Sequence, residues 1–174
     1  RKKSNSPADH TQTVNIDRPE RTTPIVILAL VSLSVVALIL RLLNLNSDLW
    51  IDAVLTLLDF VRKPLGEIVV SFPSQNQHML FSILARISTS IFGESPWALR
   101  LPSVLFGVIS IWAFFFMCRS LLNTGTALLG STLLTVSYHH IWFSQNARGE
   151  MGLLLFTLLA SWCWIVGLRS NEQS

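Results

Sequence analysis

Four long runs of apolar residues, almost without charge, are the feature that most constrains the fold of this chain. The runs are Pro24–Leu43, Leu101–Cys118, Thr126–Phe143 and Met151–Leu168. A helix needs about 20 residues to cross the roughly 30 Å hydrocarbon core of a bilayer, and each run approaches that length. Hydrophobic residues make up 51% of the sequence and charged residues 13%, a balance typical of membrane proteins. We therefore predict an all-α, polytopic transmembrane helical bundle with about four spans.

One charge and two cysteines lie in or at the ends of these runs. Arg41 lies near the end of the first run, and we expect its long side chain to snorkel to the membrane interface. Cys118 ends the second run and Cys163 lies inside the fourth. These positions favour packing over a disulfide, and two cysteines without spaced histidines indicate no metal site.

The two ends of the chain differ from its apolar middle. Residues 1–23 are polar, mix charges of both signs and lack apolar periodicity, so we predict a disordered tail. The run that follows is too long and too far along the chain for a cleaved signal peptide, and we expect it to remain as an anchor. The chain does not begin with Met and its last residues, 169–174, directly follow the fourth run. We expect residues 24–174 to be the N-terminal part of a longer protein, inactive by itself.

Basic residues favour the cytoplasmic side of a membrane, so their distribution predicts the orientation. With the N-terminus inside, the cytoplasmic segments hold seven Lys or Arg and four Asp or Glu, whereas the outer segments hold six of each. The sequence therefore predicts a multi-pass protein with a cytoplasmic N-terminus. Residues 44–100 then form a long outer loop and residues 144–150 a short one.

Two stretches of the long outer loop have the periodicity of amphipathic helices. The first has a narrow polar stripe that consists of Asp48, Asp52, Thr56, Asp59 and Lys63. The second is His78–Phe92, and we predict that both lie at the outer membrane interface. Pro and Gly residues in Lys63–Asn76 predict an irregular loop between them. In an alternative, His78–Phe92 crosses the membrane, but that span would be short and would carry Arg86 in its middle.

Asp52 and Arg148 are the residues best suited to group-transfer chemistry. Asp52 lies near the start of the first surface helix, where the helix dipole favours the ionised carboxylate. A carboxylate beside an acceptor hydroxyl can act as the general base of a group-transfer reaction. Arg148 lies in the polar cluster after the third run, and a guanidinium binds phosphate oxygens bidentately. The pattern alone leaves two plain alternatives open, a solvated helix-face aspartate and a charge that anchors the end of a span.

Histidine and arginine residues elsewhere are weaker candidates. His78 lies on the polar stripe of the second surface helix, and Arg100 lies beside the second apolar run. Interface anchoring is the default explanation for both. His139 and His140 lie near the outer end of the third run, where a structural role explains them better than contact with a sugar.

Five short motifs follow one another along the chain, and their order and spacing are informative. They are Trp50-Ile51-Asp52-Ala53, Gln77-His78-Met79-Leu80-Phe81, Ile91-Phe92-Gly93-Glu94, Ala98-Leu99-Arg100-Leu101-Pro102-Ser103 and Ser144-Gln145-Asn146-Ala147-Arg148-Gly149. Together they resemble the start of the integral-membrane GT-C glycosyltransferases of the protein O-mannosyltransferase and aminoarabinose transferase superfamily (glycosyltransferase family 39-like), especially its bacterial members. The resemblance covers about Pro24–Leu168.

The resemblance implies a fold, a donor and a location. Family members are longer, have more spans and use a polyprenyl-phosphate-linked sugar at the outer face of the membrane, with interfacial helices in the first outer loop. It implies Asp52 as the acidic residue of that loop and Arg148 as the basic residue of the second. It also implies the inner (plasma) membrane, a lipid, glycan or protein acceptor, contact with membrane lipids and no nucleic acid. We expect no metal site and no certain cofactor besides the donor substrate.

The chain departs from the family pattern in three of its motifs. Ala53 follows the aspartate where an acidic residue is common, and Met79 and Leu80 follow the histidine where prolines are common. Glu150 stands where the family has an aromatic residue. Glu150 either supplies a second outer carboxylate or forms a local ion pair with Arg148.

The sequence thus predicts a glycosyltransferase that moves a hexose-like sugar from a polyprenyl-phosphate carrier to an acceptor, with inversion. In this hypothesis Asp52 activates the acceptor hydroxyl, while Arg148, helped by Arg100 or His78, neutralises the leaving phosphate. The alternative is a non-catalytic or truncated membrane scaffold subunit with the same fold, which the altered motifs would suit. A transporter is disfavoured because the spans carry almost no ionisable residues near their midplane.

Overall fold

The computed structural model describes residues 23–72, 74 and 76–171, and these ranges contain eight α-helices and no strand. The helices are α1 Pro24–Leu42, α2 Ile51–Thr56, α3 Leu65–Val70, α4 Met79–Phe92, α5 Pro96–Leu121, α6 Thr124–Val136, α7 Tyr138–Ser144 and α8 Glu150–Asn171. The C-terminal end of α2 continues directly into a π-helical turn, Leu57–Val61. The predicted all-α membrane bundle is confirmed. The predicted tail lies outside the described residues, apart from Thr23.

Within the described ranges, three helices are long and apolar enough to cross a membrane. They are α1, α5 and α8, with 19, 26 and 22 residues, so even the shortest reaches about 28 Å. Pro24 and Pro96 occupy the first turns of α1 and α5, where a missing N–H costs nothing. Helix α5 lies at the centre of the bundle, in contact with α1, α4, α6, α7 and α8.

The run Thr126–Phe143, predicted as one span, forms two helices instead. Helix α6 ends before Ser137, whose extended backbone (φ −62°, ψ 122°) separates it from α7. The break frees carbonyl groups at the end of α6, and the Thr135 carbonyl accepts a hydrogen bond from Arg41 of α1 at 3.5 Å. A break inside a membrane bundle is tolerated where neighbouring groups satisfy the freed carbonyls. Hydrophobicity alone does not reveal such a break.

Arg41 is buried in the bundle, so the prediction that it snorkels to the interface was wrong. Its side chain is 0% exposed, and Nε donates to Ser144 Oγ at 3.2 Å. Nη1 also donates to the Ala37 carbonyl at 2.9 Å, and Nη2 is hydrogen-bonded to His140 Nδ1. These partners lie on α1 and α7, and they give the guanidinium inside the bundle the hydrogen bonds that it would otherwise seek in water.

The segment between α1 and α5, predicted as the long outer loop, contains three short helices. Helix α4 begins directly after His78, as predicted, and its 14 residues reach about 21 Å, which is shorter than a hydrocarbon core. The first amphipathic stretch forms α2 and its π-helical turn. The connection Lys63–Asn76 was predicted as an irregular loop, but it contains α3. Burial of Ile68 (0% exposed) and a hydrogen bond from Gln77 to its carbonyl stabilise this helix despite the nearby Pro and Gly.

A proline inside α5 explains how α4 is fixed to it. Pro102 has no N–H to donate to the carbonyl of Ala98, and Ser88 Oγ of α4 donates to that carbonyl instead, at 2.6 Å. Phe81 and Ala85 of α4 pack with Leu99 in a buried cluster at the same contact. Helix α4 is thus held on the same end of α5 that carries Arg100.

Candidate functional site

The two predicted reactive residues meet in space although 96 positions separate them. Arg148 Nη1 donates to Asp52 Oδ2 at 2.9 Å. Asp52 lies in the first turn of α2, and Arg148 lies in the connection between α7 and α8. The start of α2 and this connection therefore lie at one end of the bundle. The side chains are 46% and 30% exposed, respectively, which leaves the pair open to a substrate.

Glu150 brings a second carboxylate to Arg148. Its Oε1 lies 2.9 Å from Arg148 Nε, but the groups are not aligned as a hydrogen bond, since Arg148 Nε has no hydrogen-bond partner among the described residues. Of the two roles predicted for Glu150, the local ion pair is the one that the structure contains. Arg148 therefore lies between two carboxylates, and the three groups together carry a net charge of −1. A phosphate that approaches Arg148 must compete with both.

The Asp52–Arg148 pair borders an open cavity of about 90 Å³ with aromatic walls. Trp50 precedes α2, while Trp142 and Phe143 come from α7, and all three line the cavity together with Asn146. Their rings provide apolar faces, and the side-chain amide of Asn146 makes no hydrogen bond within the described part of the chain. The sequence-based search did not select these residues for the site. Their positions in or next to the motifs of Asp52 and Arg148 were the available signal.

His78 lies beside the Arg148 loop, at the N-terminus of α4. Its ring packs so closely on Gly149 that a Cβ added there would lie 2.6 Å from His78 Cβ and Cγ. Both residues line a second cavity, about 200 Å³, whose other walls include Phe106, Leu153 and Phe156. His78 Nε2 is buried and has no hydrogen-bond partner among the residues that the structure describes. The histidine is therefore next to the site, in contact with the residue that directly follows Arg148.

Arg100 lies away from both cavities. It is 3% exposed, and Nη1 donates to the carbonyls of Leu45 and Ser47 at 2.6 and 2.9 Å. Nη2 donates to the Asp48 carbonyl at 2.9 Å. The structure thus gathers Asp52, His78, Arg148 and Glu150, and it places Arg100 beneath the loop that leads to Asp52.

A buried polar network beneath the site ties the Arg148 loop to the end of α1. His140 Nε2 is hydrogen-bonded to Ser110 Oγ at 2.9 Å, and its other ring nitrogen contacts Arg41. Gln145 Nε2, at the start of the loop, donates to the carbonyls of Leu43 and Arg41 at 2.7 and 3.2 Å. The available sequence signal was Arg41, a charge inside an apolar run.

No group of three His, Cys, Asp or Glu side chains in the described ranges could hold a metal ion.

Residues 76–174 match the family model of the dolichyl-phosphate-mannose-protein mannosyltransferases. This match spans more than half of the 174 residues.

The chain belongs to this family. The predicted resemblance is confirmed, because the family consists of membrane glycosyltransferases of the GT-C type. The matched region contains His78, Arg100, Arg148 and Glu150, while Asp52 precedes it. No curated protein and no solved structure matches the chain.

Proposed function

We propose that this mannosyltransferase-family chain belongs to an enzyme that transfers a hexose-like sugar from a polyprenyl-phosphate donor to an acceptor at the outer face of the membrane. The observation that carries this proposal is the Asp52–Arg148 contact at the rim of an aromatic-walled cavity. A base for the acceptor and a cation for the leaving phosphate are the two groups that such a transfer needs. Both lie at the end of the bundle, where a membrane-bound donor arrives by lateral diffusion.

Arg148 is the proposed ligand of the donor phosphate. Its Nη1 and Nε face Asp52 and Glu150, and Nη2 has no hydrogen-bond partner in the described structure. As the bond between the sugar C1 and the phosphate oxygen breaks, negative charge grows on the leaving polyprenyl phosphate. A guanidinium beside that oxygen stabilises this charge. Glu150 holds the guanidinium in place from the other side.

Asp52 is the proposed general base. Oδ2 accepts a hydrogen bond from Arg148, but Oδ1 has no hydrogen-bond partner in the described structure. When a phosphate takes over part of the hydrogen bonding of Arg148, the Asp52 carboxylate becomes free to accept a hydrogen bond from the acceptor hydroxyl. The carboxylate then removes the proton of the acceptor hydroxyl while that oxygen attacks C1 from the face opposite the phosphate. Attack from that face inverts the anomeric centre.

His78 is the proposed auxiliary group beside the phosphate, because its ring lies against the backbone next to Arg148. Arg100 was predicted as an alternative helper, and we do not propose it as a phosphate ligand. Both of its terminal nitrogens bind loop carbonyls, and it lines neither cavity. Among the described residues, Arg148 is then the cation proposed to face the substrate.

The test is Asp52→Asn in the full-length protein, with Asp59→Asn as the matched control. The asparagine keeps the size of the side chain but cannot take a proton, so turnover of a polyprenyl-phosphate-linked hexose should fall about 10²- to 10⁴-fold. This loss corresponds to roughly 3 to 5 kcal/mol of barrier. Asp59 lies on the adjoining π-helical turn and lines neither cavity, so its variant should stay close to the wild type.

Transfer is measured with purified protein in proteoliposomes, and thermal unfolding of each variant shows whether it is folded. A folded Asp52→Asn protein that transfers sugar at the wild-type rate would remove Asp52 from the mechanism. A full-length wild type that cleaves no lipid-linked donor would favour the scaffold alternative.

A further inference from the structure

One face of α5 holds both loops of the candidate site. Arg100 and Ser103 are three positions apart, so they lie on the same face of the helix. Arg100 donates to carbonyls in the loop before Asp52, and Ser103 Oγ donates to the Arg148 carbonyl at 2.9 Å. The two loops that carry the proposed base and the proposed phosphate ligand are thus hydrogen-bonded to neighbouring residues of one helix.

The loop before Asp52 depends strongly on Arg100. Between the end of α1 and the start of α2, its own backbone hydrogen bonds run from Leu45 and Ser47 to carbonyls three residues earlier. The carbonyls of Leu45, Ser47 and Asp48 accept from the guanidinium instead. Hydrogen bonds from a charged donor are stronger than those between neutral groups, and helix α2 begins three residues after the last of these carbonyls.

The loop of Arg148 has an equally direct connection to α5. Ser103 is 0% exposed, so water does not replace its hydrogen bond to the Arg148 carbonyl. That bond holds the backbone of Arg148 itself, while the Arg148 side chain reaches across to Asp52. The two loops are therefore attached to α5 at residues that lie about 4.5 Å apart along the helix.

We infer that Arg100 and Ser103 are positioning residues that set the separation of Asp52 and Arg148, and the catalytic part of this inference rests on the proposed function. Neither residue touches a cavity, so both act through the loops that they hold. A misplacement of about 1 Å between reacting groups can lower a rate about 100-fold. Loss of either attachment should therefore slow transfer while the donor still binds.

The first experiment measures the separation without using activity. In full-length protein that lacks its other cysteines, Asp52→Cys and Arg148→Cys are joined by a short bifunctional thiol reagent. Arg100→Lys, whose ammonium lacks the fork that reaches three carbonyls, or Ser103→Ala should lower the crosslinking rate about 10-fold. Ser120→Ala removes a serine of α5 whose hydroxyl donates to the Phe116 carbonyl of its own helix at 2.9 Å, and it should change the rate less than about 2-fold.

The second experiment measures kinetics in the otherwise wild-type protein. Arg100→Lys and Ser103→Ala should lower kcat about 10- to 100-fold and leave KM for the lipid-linked donor nearly unchanged. A raised donor KM in Arg100→Lys would mark Arg100 as a phosphate ligand and overturn its positioning role. Ser103→Ala removes one oxygen atom, so it keeps the test valid if Arg100→Lys does not fold.

The two experiments separate this inference from the proposed function. Crosslinking that stays at the control rate in both α5 variants would overturn the positioning role, whatever the activity. Reduced crosslinking together with a fully active Asp52→Asn enzyme would support the role of α5 in holding the loops and would overturn the proposed base.

Discussion

Replacement of Gly107 by alanine tests how closely α5 and α7 must approach beneath the site. Gly107 lies on α5, where α7 crosses it at Ser144. A Cβ at position 107 would lie 2.9 Å from Ser144 Cβ and closer still to Ser144 Oγ, and 3.3 Å from Arg41 Nε. Ordinary contacts of a Cβ begin at 3.4 Å, so α7 has to move away by at least about half an ångström.

The cost of Gly107→Ala has two parts. Overpacking of a buried contact costs about 1 to 3 kcal/mol. Ser144 Oγ cannot rotate away freely, because it donates to the His140 carbonyl at 2.6 Å and accepts from Arg41 at 3.2 Å. Loss of the Arg41 hydrogen bond inside the bundle costs about 1 to 3 kcal/mol more. We expect a loss of about 2 to 6 kcal/mol in the free energy of unfolding, a large share of typical protein stability.

Two other glycines provide a graded comparison. A Cβ at Gly152 would lie 3.2 Å from the nearest atom of the Phe106 ring, and a Cβ at Gly167 would meet nothing within 4 Å. Gly152→Ala should therefore be mildly destabilising. Gly167→Ala should be neutral or should stabilise α8 by up to about 1 kcal/mol, since alanine favours the helix.

The assay is thermal and denaturant-induced unfolding of purified full-length protein in detergent, together with transfer activity. Stability should fall in the order Gly167→Ala, Gly152→Ala, Gly107→Ala, and Gly107→Ala should also lose activity because Ser144 directly precedes the loop of Arg148. A Gly107→Ala protein as stable as Gly167→Ala would refute the argument that close helix contact at Ser144 supports the site.

Two further predictions concern the connections between helices. Single cysteines at Asn76 and Asn146, in a background without other cysteines, should both react with a membrane-impermeant thiol reagent in intact cells, because both loops carry site residues at one end of the bundle. Protection of one until the cells are lysed would contradict the shared location. The hydrogen bond and ion pair with Arg62 lower the pKa of Glu94 below its ordinary value of 4.5, and Glu94 therefore stabilises the folded state at neutral pH. That contribution should be present above pH 4.5 and disappear as the pH falls through the lowered pKa. The difference in unfolding free energy between wild type and Glu94→Gln, measured at several pH values, should vanish below the lowered pKa. Above that pKa the difference should be small, because the pair is exposed. A difference that keeps the same size as the pH is lowered through the titration of Glu94 would show that the pair is not its source.

The sequence predicted the elements whose cause is local. The lengths of apolar runs located α1, α5 and α8, because the hydrocarbon thickness sets the length of a spanning helix. The alternation of polar and apolar residues located α4, because a helix at an apolar boundary buries one face. The ordered motifs indicated the family that the comparison then confirmed.

The predictions that failed depend on partners far away in the chain. Arg41 was expected at the interface, but the acceptors that keep it buried come from residues about 100 positions later. The hydropathy pattern did not reveal the break at Ser137, because the Thr135 carbonyl that the break frees accepts its hydrogen bond from that same distant arginine. The short helix α3 forms between Pro and Gly signals because Ile68 finds a buried position.

The sequence by itself determined the class of this protein, a helical membrane glycosyltransferase, and the residue types available for its chemistry. Only the tertiary structure decided which of these residues meet. Asp52 and Arg148 were both candidates on the same predicted side, yet their 2.9 Å contact exists because α5 holds both loops. Arg100 had the same basic chemistry as Arg148, and its place beneath the loop separates their roles. Composition and periodicity report the free energy of a segment in its solvent, whereas hydrogen bonds between distant segments depend on packing that no single segment contains.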